Sequence, residues 1–459
     1  MLKKIAIIGL MMMNSALLYA NHHRIAVVGT GYVGLVLGAG LADFGHYVTC
    51  VDIDERKVAM LNRGELPIYE PGLEDVVRRN TQSAVRYGPR LRFTSDIANA
   101  IREASVVFIA VGTPTGDDGH ADLRAVKAVA QACARNLNGY KVIVTKSTVP
   151  IGTGKLIRSI LAESQSDDFS IVSNPEFLRE GSAVKDFFEP DRVVIGVDSE
   201  RAASIMREIY RPLHQAGVPF LVTDVVTAET IKYAANAFLA VKVTYINELA
   251  NLCDVTGANI KDVAAGMALD SRISPKFLNP GPGFGGSCFP KDSLELALFA
   301  RDNGVHLDVV DASLTANNRQ AVVMVDKLQR LLNESVQGKT VAILGLAFKA
   351  NTDDVRESPA LRIIGELKRR GATIKAYDPI ATKTMAVLEP TLEYCSDVYE
   401  AVAGADAAIV VTEWHEFVQM NLEEVKNRMR VPVILDTRNI LDRKALCVLG
   451  FSADNVGNA

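Results

Sequence analysis

Short apolar runs and helical stripes alternate along most of this chain, and they predict an α/β protein. Arg24–Gly29 reads as a fully buried strand, and an apolar helical pattern follows through Leu41 and Ala42. A second strand, Tyr47–Val51, ends at Asp52. Further strands are expected over Ala104–Val111, Lys141–Thr145 and Ser170–Ser173. From Thr227 to Leu252 the pattern changes to one long helix, with Ile231, Ala235, Phe238, Leu239, Ile246, Leu249 and Ala250 at helical spacing. Strands return at Lys339–Gly345, Thr373–Asp378, Ala407–Thr412 and Val433–Asp436, with a helix start at Arg356–Pro359. The expected division is an N-terminal segment 1–23, a Rossmann domain 24–215, a central helical region 216–325 and a C-terminal Rossmann-like domain 326–459.

The first strand-turn-helix carries Gly29, Gly31 and Gly34 at dinucleotide-binding spacing, with Tyr32 and Val33 between the last two. The first glycine makes the tight turn, the second admits a pyrophosphate, and the third lets helix and strand pack closely. Asp52 stands where a carboxylate accepts from the adenosine ribose and repels a 2′-phosphate, which favours NAD over NADP. Lys57 flanks the same end, although a solvated helix lysine reads the same way. Strand ends in such sheets line the ligand crevice, which points to Thr113, Pro114 and Thr148. The second half lacks a glycine fingerprint. It is expected to bind another ligand, with Lys349 at its strand-helix turn as a phosphate contact.

Pro280–Asp292 is the strongest candidate for chemistry. Cys288 follows a Gly/Pro-rich run, with Lys291 and Asp292 just behind it. A thiol beside a cation is held as the reactive thiolate, whereas a packed structural thiol is the plainer alternative. The glycines and the Lys291/Asp292 pair favour the nucleophile. Lys232 and Asn236 lie four apart on the long helix, polar positions on one face of an apolar element. Glu176 and Glu180 fall in a polar segment, Asn174–Gly181, after a strand; a helix start with an acidic first turn reads equally well there.

Length and charge narrow the class. The chain has 459 residues, 48% of them apolar, and a net charge of −4 without a basic block, so nucleic acid is not an expected partner. Six cysteines show neither CxxC nor Cys/His ligand spacing, so neither a metal site nor a disulfide framework is expected. Lys3-Lys4 and the apolar run Ile5–Ala20 have the shape of a secretory signal, but too short for a comfortable membrane span. An upstream extension is preferred, because the chemistry draws on a cytosolic cofactor pool; a cytoplasmic protein without stable membrane association is expected. The long helix carries more apolar positions than one intramolecular face needs, which predicts at least a homodimer.

With these segments in place, the chain resembles the nucleotide-sugar dehydrogenase family from Arg24 to about Leu446. The carrying motifs are Gly29–Gly34, Asn174–Glu180, Lys232–Asn236, Gly285–Asp292, and Gly345–Lys349 with Arg356–Pro359. The segments Asp270–Leu278 and Ala235–Ala240 look more like the UDP-glucose branch; the GDP-mannose branch also carries a Gly-Ser-Cys loop. The resemblance implies a UDP-binding C-terminal domain and a four-electron oxidation with two NAD per sugar. It implies Cys288 as nucleophile and Lys232 and Asn236 as oxyanion stabilisers. Water near Asp292 and Thr148 would be the first base, with Glu180 the hydrolytic base and Glu176 supporting it. Phe177, Leu178, Arg179, Glu180, Lys232, Asn236, Phe277, Leu278, Gly285 and Lys349 would hold the UDP-sugar, and Arg272 would reach it from a neighbouring subunit. Glu180, Lys291 and Arg356 would contact NAD. A GDP-mannose dehydrogenase is one alternative. A non-catalytic NAD sensor is another, against which the presence of Cys288, Lys232 and Asp292 argues.

Overall fold

The computed structural model describes residues 22–82, 88–164 and 168–458. The signal-like run Ile5–Ala20 lies outside the described residues. Backbone contacts divide the chain into two units. The first runs through Thr113 and from Leu123 to Glu229; the second holds Pro114–Asp122 and everything from Thr230 onward.

The first unit is built on β1 (Arg24–Val28), β2 (Tyr47–Val51), β3 (Leu91–Thr94), β4 (Val106–Ile109), β5 (Lys141–Thr145), β6 (Phe169–Ser173), β7 (Val193–Val197) and β8 (Phe220–Thr223). They form one sheet in the order β3-β2-β1-β4-β5-β6-β7-β8. Every pair is parallel except β6 with β7. Successive residues of a strand point to opposite faces. Ile25 and Val27 therefore join one apolar cluster while Ala26 and Val28 join another. With helices on both faces, these strands read as continuous apolar runs rather than alternating ones. Phe108 in β4 is fully buried; truncating such a ring to alanine costs about 3–5 kcal/mol.

The second unit holds most of a long helix, Val225–Thr256, of 32 residues. At 1.5 Å per residue it is about 48 Å long. The helices Phe289–Asp302 and Asp308–Leu332 follow. The second sheet comprises β9 (Thr340–Leu344), β10 (Thr373–Tyr377), β11 (Glu393–Tyr394), β12 (Ala407–Val410), β13 (Val433–Asp436) and β14 (Ser452–Asn455). It is wholly parallel, in the order β11-β10-β9-β12-β13-β14. Strand order reverses between β9 and β12, and ligands of such sheets sit beyond the strand ends at that point. Lys327, almost fully buried on Asp308–Leu332, pairs with Asp254 at 2.7 Å and Asp454 at 3.3 Å. It thereby ties the long helix to the last strand. Among the described residues, no helix is long and apolar enough to cross a membrane.

One alternative falls and one expectation changes. Asn174–Gly181 is a loop rather than a helix start, and the next helix begins only at Ala183. Its direction is set by Asn174, which accepts from Tyr210 Oη at 2.7 Å and Lys146 Nζ at 3.2 Å and donates to the Val194 carbonyl at 2.8 Å. Those long-range bonds override the local preference for a helix start. The long helix also outruns its expected ends, Thr227 and Leu252, at both termini.

Candidate active site

In the first unit the three glycines have three different surroundings. A Cβ on Gly29, whose φ is +104°, would collide with the Ala110 carbonyl; one on Gly34 would collide with the carbonyl of Gly29. A Cβ on Gly31 would meet nothing within 4 Å. The two outer positions are thus closed by the fold, and the middle one opens onto free space. Gly31 also caps the helix Tyr32–Asp43 without a side-chain bond. The start of a helix, where first-turn N–H groups have no acceptor within the helix itself, suits an anion. Tyr32 and Val33, half-buried, are its first two residues.

Asp52 closes the end of β2. One carboxylate oxygen accepts from Thr30 N at 2.9 Å and Thr30 Oγ1 at 2.5 Å, and the other from Asp54 N at 3.0 Å. Burial pushes this carboxyl up, but the bonds from Thr30 and Asp54 and the charge of Lys57 outweigh it and hold it below its ordinary value. Asp52 is thus an ionised acceptor. The open Gly31 and this carboxylate fit the pyrophosphate and ribose of a dinucleotide. Thr113 Oγ1 donates to the Thr148 carbonyl at 2.7 Å, which joins the ends of β4 and β5.

The loop after β6 places the remaining expected residues of this unit. Glu176 is buried and accepts from Leu178 N at 2.6 Å. The Arg192 guanidinium lies 3.5 Å from the Phe177 ring centroid, a stacked cation. Arg179 is held by Asp186 at 2.5 Å and is mostly exposed, and Glu180 is half-buried beside it.

In the second unit Cys288 is the N-cap of Phe289–Asp302, half-buried, with Pro290 in the first turn. Ser287 Oγ lies 3.5 Å from its sulfur. Helix-start amides favour a thiolate at such a position. One turn on, Asp292 is fully buried. Asn236 Nδ2 donates to one of its oxygens at 2.6 Å, and Lys291 Nζ to the other at 2.7 Å. Lys232, one helical turn before Asn236, is 3% exposed and Asn236 is 6% exposed, so this polar pair points inward. One cluster thus holds Cys288, Lys291, Asp292 and Asn236, and Lys232 is buried one turn from Asn236 on the long helix.

Buried amides hold the loop. Gly281 N donates to Asn247 Oδ1 and Phe284 N to Asn317 Oδ1, both at 2.7 Å. Gln320 Nε2 donates to the Gly281 carbonyl at 3.0 Å. A Cβ on Gly285 would collide with the Glu357 carbonyl, and Gly286 N donates to the Arg356 carbonyl at 3.0 Å. The loop thus rests directly on the segment that follows β9. Arg356 is fixed by Asp354 at 2.7 Å. Leu278 is buried in the second core, and the Phe277 ring centroid lies 6.0 Å from that of Phe289. Lys349 lies in the turn after β9, its Nζ 5.3 Å from the Phe348 ring centroid. Pro114 is exposed in the short hairpin that belongs to this unit. Arg272 is exposed and paired with Asp270 at 2.6 Å.

Two features of the second sheet were not in the sequence reading. Asp378 accepts from Leu346 N at 2.7 Å, Ala347 N at 3.0 Å and Trp414 Nε1 at 2.9 Å. The amides of the first βα turn are therefore bonded within the protein. Arg438, just after β13, donates to the carbonyls of Val411 at 2.7 Å and Phe348 at 2.9 Å. It thus spans the switch point beside Lys349. Among the described residues there is no cluster of metal-ligating side chains.

Comparison with known proteins agrees with this layout. Models of the UDP-glucose/GDP-mannose dehydrogenase family match residues 23–214 (NAD binding domain), 226–319 (central domain) and 342–443 (UDP binding domain). The chain is 48% identical over 437 residues to UDP-glucose 6-dehydrogenase TuaD of Bacillus subtilis, covering 95% of this chain and 93% of that one. It is 46% identical over 438 residues to the UDP-glucose 6-dehydrogenase of Rhizobium meliloti, covering 95% and 99%. The solved UDP-glucose dehydrogenase of the archaeon Pyrobaculum islandicum superposes with a TM-score of 0.88 at 36% identity, over 97% of this chain and 100% of that one. The chain therefore belongs to the UDP-glucose/GDP-mannose dehydrogenase family, with an NAD-binding first unit.

Proposed function

We propose that this protein oxidises UDP-glucose to UDP-glucuronate with two NAD per sugar, through a covalent intermediate on Cys288. The observation that carries the reading is the Cys288 cluster: a helix-capping thiol one turn from a buried carboxylate that is bonded to Asn236 and Lys291. Gly29, Gly31, Tyr32, Val33, Gly34, Asp52 and Lys57 hold the cofactor, with Thr113, Pro114, Thr148, Glu180, Lys291 and Arg356 as further contacts. NAD, when bound, supplies one hydride acceptor for each of the two oxidations.

In the first oxidation water held by Asp292 takes the proton of the C6 hydroxyl. The Cys288 thiolate then attacks the aldehyde carbon, forming a C–S bond and leaving an oxyanion. Lys232 meets that charge with its ammonium and Asn236 with an amide hydrogen. The second oxidation leaves a thioester. Water, deprotonated by Glu180 with Glu176 in support, adds to it; the C–S bond breaks, the thiolate is restored and the carboxylate departs. In sum one alcohol, two NAD and one water give one carboxylate, two NADH and three protons. Covalent capture keeps the reactive aldehyde on the protein between the two oxidations.

The UDP-sugar is held by Lys349 with the loop residues Phe177, Leu178 and Arg179 and with Phe277, Leu278 and Gly285. Arg438 joins this set on the strength of its place at the switch point. In the three-part division at 215 and 325, the glycine fingerprint falls in the first part, Cys288 in the second and Lys349 in the third. We read the protein as cytoplasmic and as a homodimer, with Arg272 acting on the partner's site. An exposed apolar stripe on the long helix supports the dimer: Phe238, Tyr245 and Leu252 recur every seventh residue at 65%, 52% and 57% exposure. Both named relatives are UDP-glucose enzymes, which favours that substrate over GDP-mannose. Steady-state rates on the two sugars test this: kcat/KM should be higher for UDP-glucose by at least about a hundredfold. Equal or reversed rates would contradict the assignment.

A further inference from the structure

The helix that begins at Cys288 carries a second buried carboxylate that the proposed chemistry leaves unused. Glu295 lies one turn beyond Asp292 and is 2% exposed. A buried carboxylate is tolerated only when its oxygens are hydrogen-bonded. Its Oε2 accepts the Ala121 N–H at 2.6 Å, and its Oε1 lies 3.4 Å from His120 Nδ1. The other nitrogen of that ring lies 3.4 Å from Asp302 Oδ2, in the last turn of the same helix.

The partner of this carboxylate is a small hairpin. Thr115 and Ala121 form an antiparallel bridge. Gly116 N donates to the His120 carbonyl at 2.7 Å, and Asp122 N to the Pro114 carbonyl at 2.8 Å. Gly119 turns the hairpin with φ +85°, and a Cβ there would press on Leu298 at 3.0 Å. Residues 119, 120 and 121 thus engage positions 295, 298 and 302, which line one helical face. These contacts belong to the second unit, whereas the chain up to Thr113 and from Leu123 belongs to the first. The hairpin is therefore strapped to the helix Phe289–Asp302 within the second unit.

We propose that Glu295 is a positioning residue. It docks the hairpin Pro114–Asp122 on the helix that carries Cys288 and Asp292, and so holds the Thr113–Pro114 segment ready for the cofactor. The inference rests on the proposed NAD contacts of Thr113 and Pro114. Glu295 itself, two turns from Cys288, touches no reacting atom. Two rounds of cofactor binding per sugar give such a strap its purpose, since the segment must return to one place after each exchange.

The test compares the unmodified full chain with Glu295→Ala and Glu295→Gln by hydrogen exchange without cofactor, together with NAD kinetics. Loss of a bond to a charged group should speed exchange at Gly116 and Asp122 by about tenfold in Glu295→Ala, with β9–β14 unchanged. KM for NAD should rise about tenfold while kcat changes by less than about threefold. Glu295→Gln keeps an acceptor for Ala121 N–H and should restore most of both. If Glu295→Ala fails to fold, His120→Ala serves in its place and should show the same hairpin-specific change at smaller size. Unchanged exchange in the hairpin would overturn the strap, as would a uniform rise across the second unit. If exchange responds but NAD binds neither form, the strap stands and the cofactor reading fails.

Discussion

A thiol becomes a useful nucleophile only where its surroundings favour the thiolate and leave a path to the sulfur. Cys288 is a half-buried helix cap, the position proposed for the nucleophile, whereas Cys50, Cys133, Cys253 and Cys395 are buried. Burial pushes the thiols of Cys50 and Cys133 up to about 12, so they stay protonated. Replacing Cys288 by serine should lower turnover by at least about a thousandfold while leaving the fold and NAD binding intact, because a hydroxyl without a dedicated base is a poor nucleophile. Alkylation should inactivate the unmodified enzyme and be slowed by UDP-glucose. Near-normal turnover in Cys288→Ser would end the nucleophile assignment. At this scale the sequence is most legible where spacing is local: Lys232 with Asn236, and Cys288 with Asp292. Arg438 and Glu295 were missed because their partners lie far away in the chain. An arginine after an apolar strand looks like any surface arginine until sheet order puts it beside β9, and Glu295 meets Ala121 across 174 positions.

Elements were legible in proportion to their apolar contrast. β2, β5 and β13 match their expected ranges, since each is a compact apolar run with a clear end. β3 and β8 escaped notice, being only four residues each and carrying exposed positions. β7 is as apolar as β1, but its antiparallel pairing with β6 leaves no trace in the sequence. The helix Glu200–Ile209 meets β2 through a device that composition did not reveal. His46, 4% exposed, accepts His23 N–H at 3.3 Å on Nδ1 and donates from Nε2 to the Ile209 carbonyl at 3.1 Å. That arrangement uses the neutral ring, and burial first, then the nearby His23, His22 and Arg211, bring its pKa down to about 4. The unfolded ring titrates near 6.5. A folded pKa below the unfolded one means that stability is complete above pH 6.5 and declines as pH falls toward 4. Urea melts over that window should show a loss of roughly 3 kcal/mol that is absent in His46→Gln. An equal decline in both proteins would place the titration elsewhere.

At the scale of the whole molecule, the two sheets share the order of their first six strands but differ at their first turns. The first leaves Gly31 open, and the second bonds its turn amides to Asp378. In the proposed reaction one dinucleotide fingerprint and one cysteine serve two oxidations in succession. The stripe Phe238, Tyr245 and Leu252 adds an assembly-level expectation: sedimentation should show a dimer or larger, and Tyr245→Glu should shift it toward monomer by at least about tenfold in dissociation constant, since a charge would be buried in an apolar contact. A fully active monomer would remove both the dimer and the cross-subunit role of Arg272. The most direct test of the account is the number of NADH molecules formed per UDP-glucose consumed, followed to completion with limiting sugar. A cysteine that captures the aldehyde predicts two NADH and UDP-glucuronate as the sole sugar product; one NADH, with free aldehyde in solution, would contradict it.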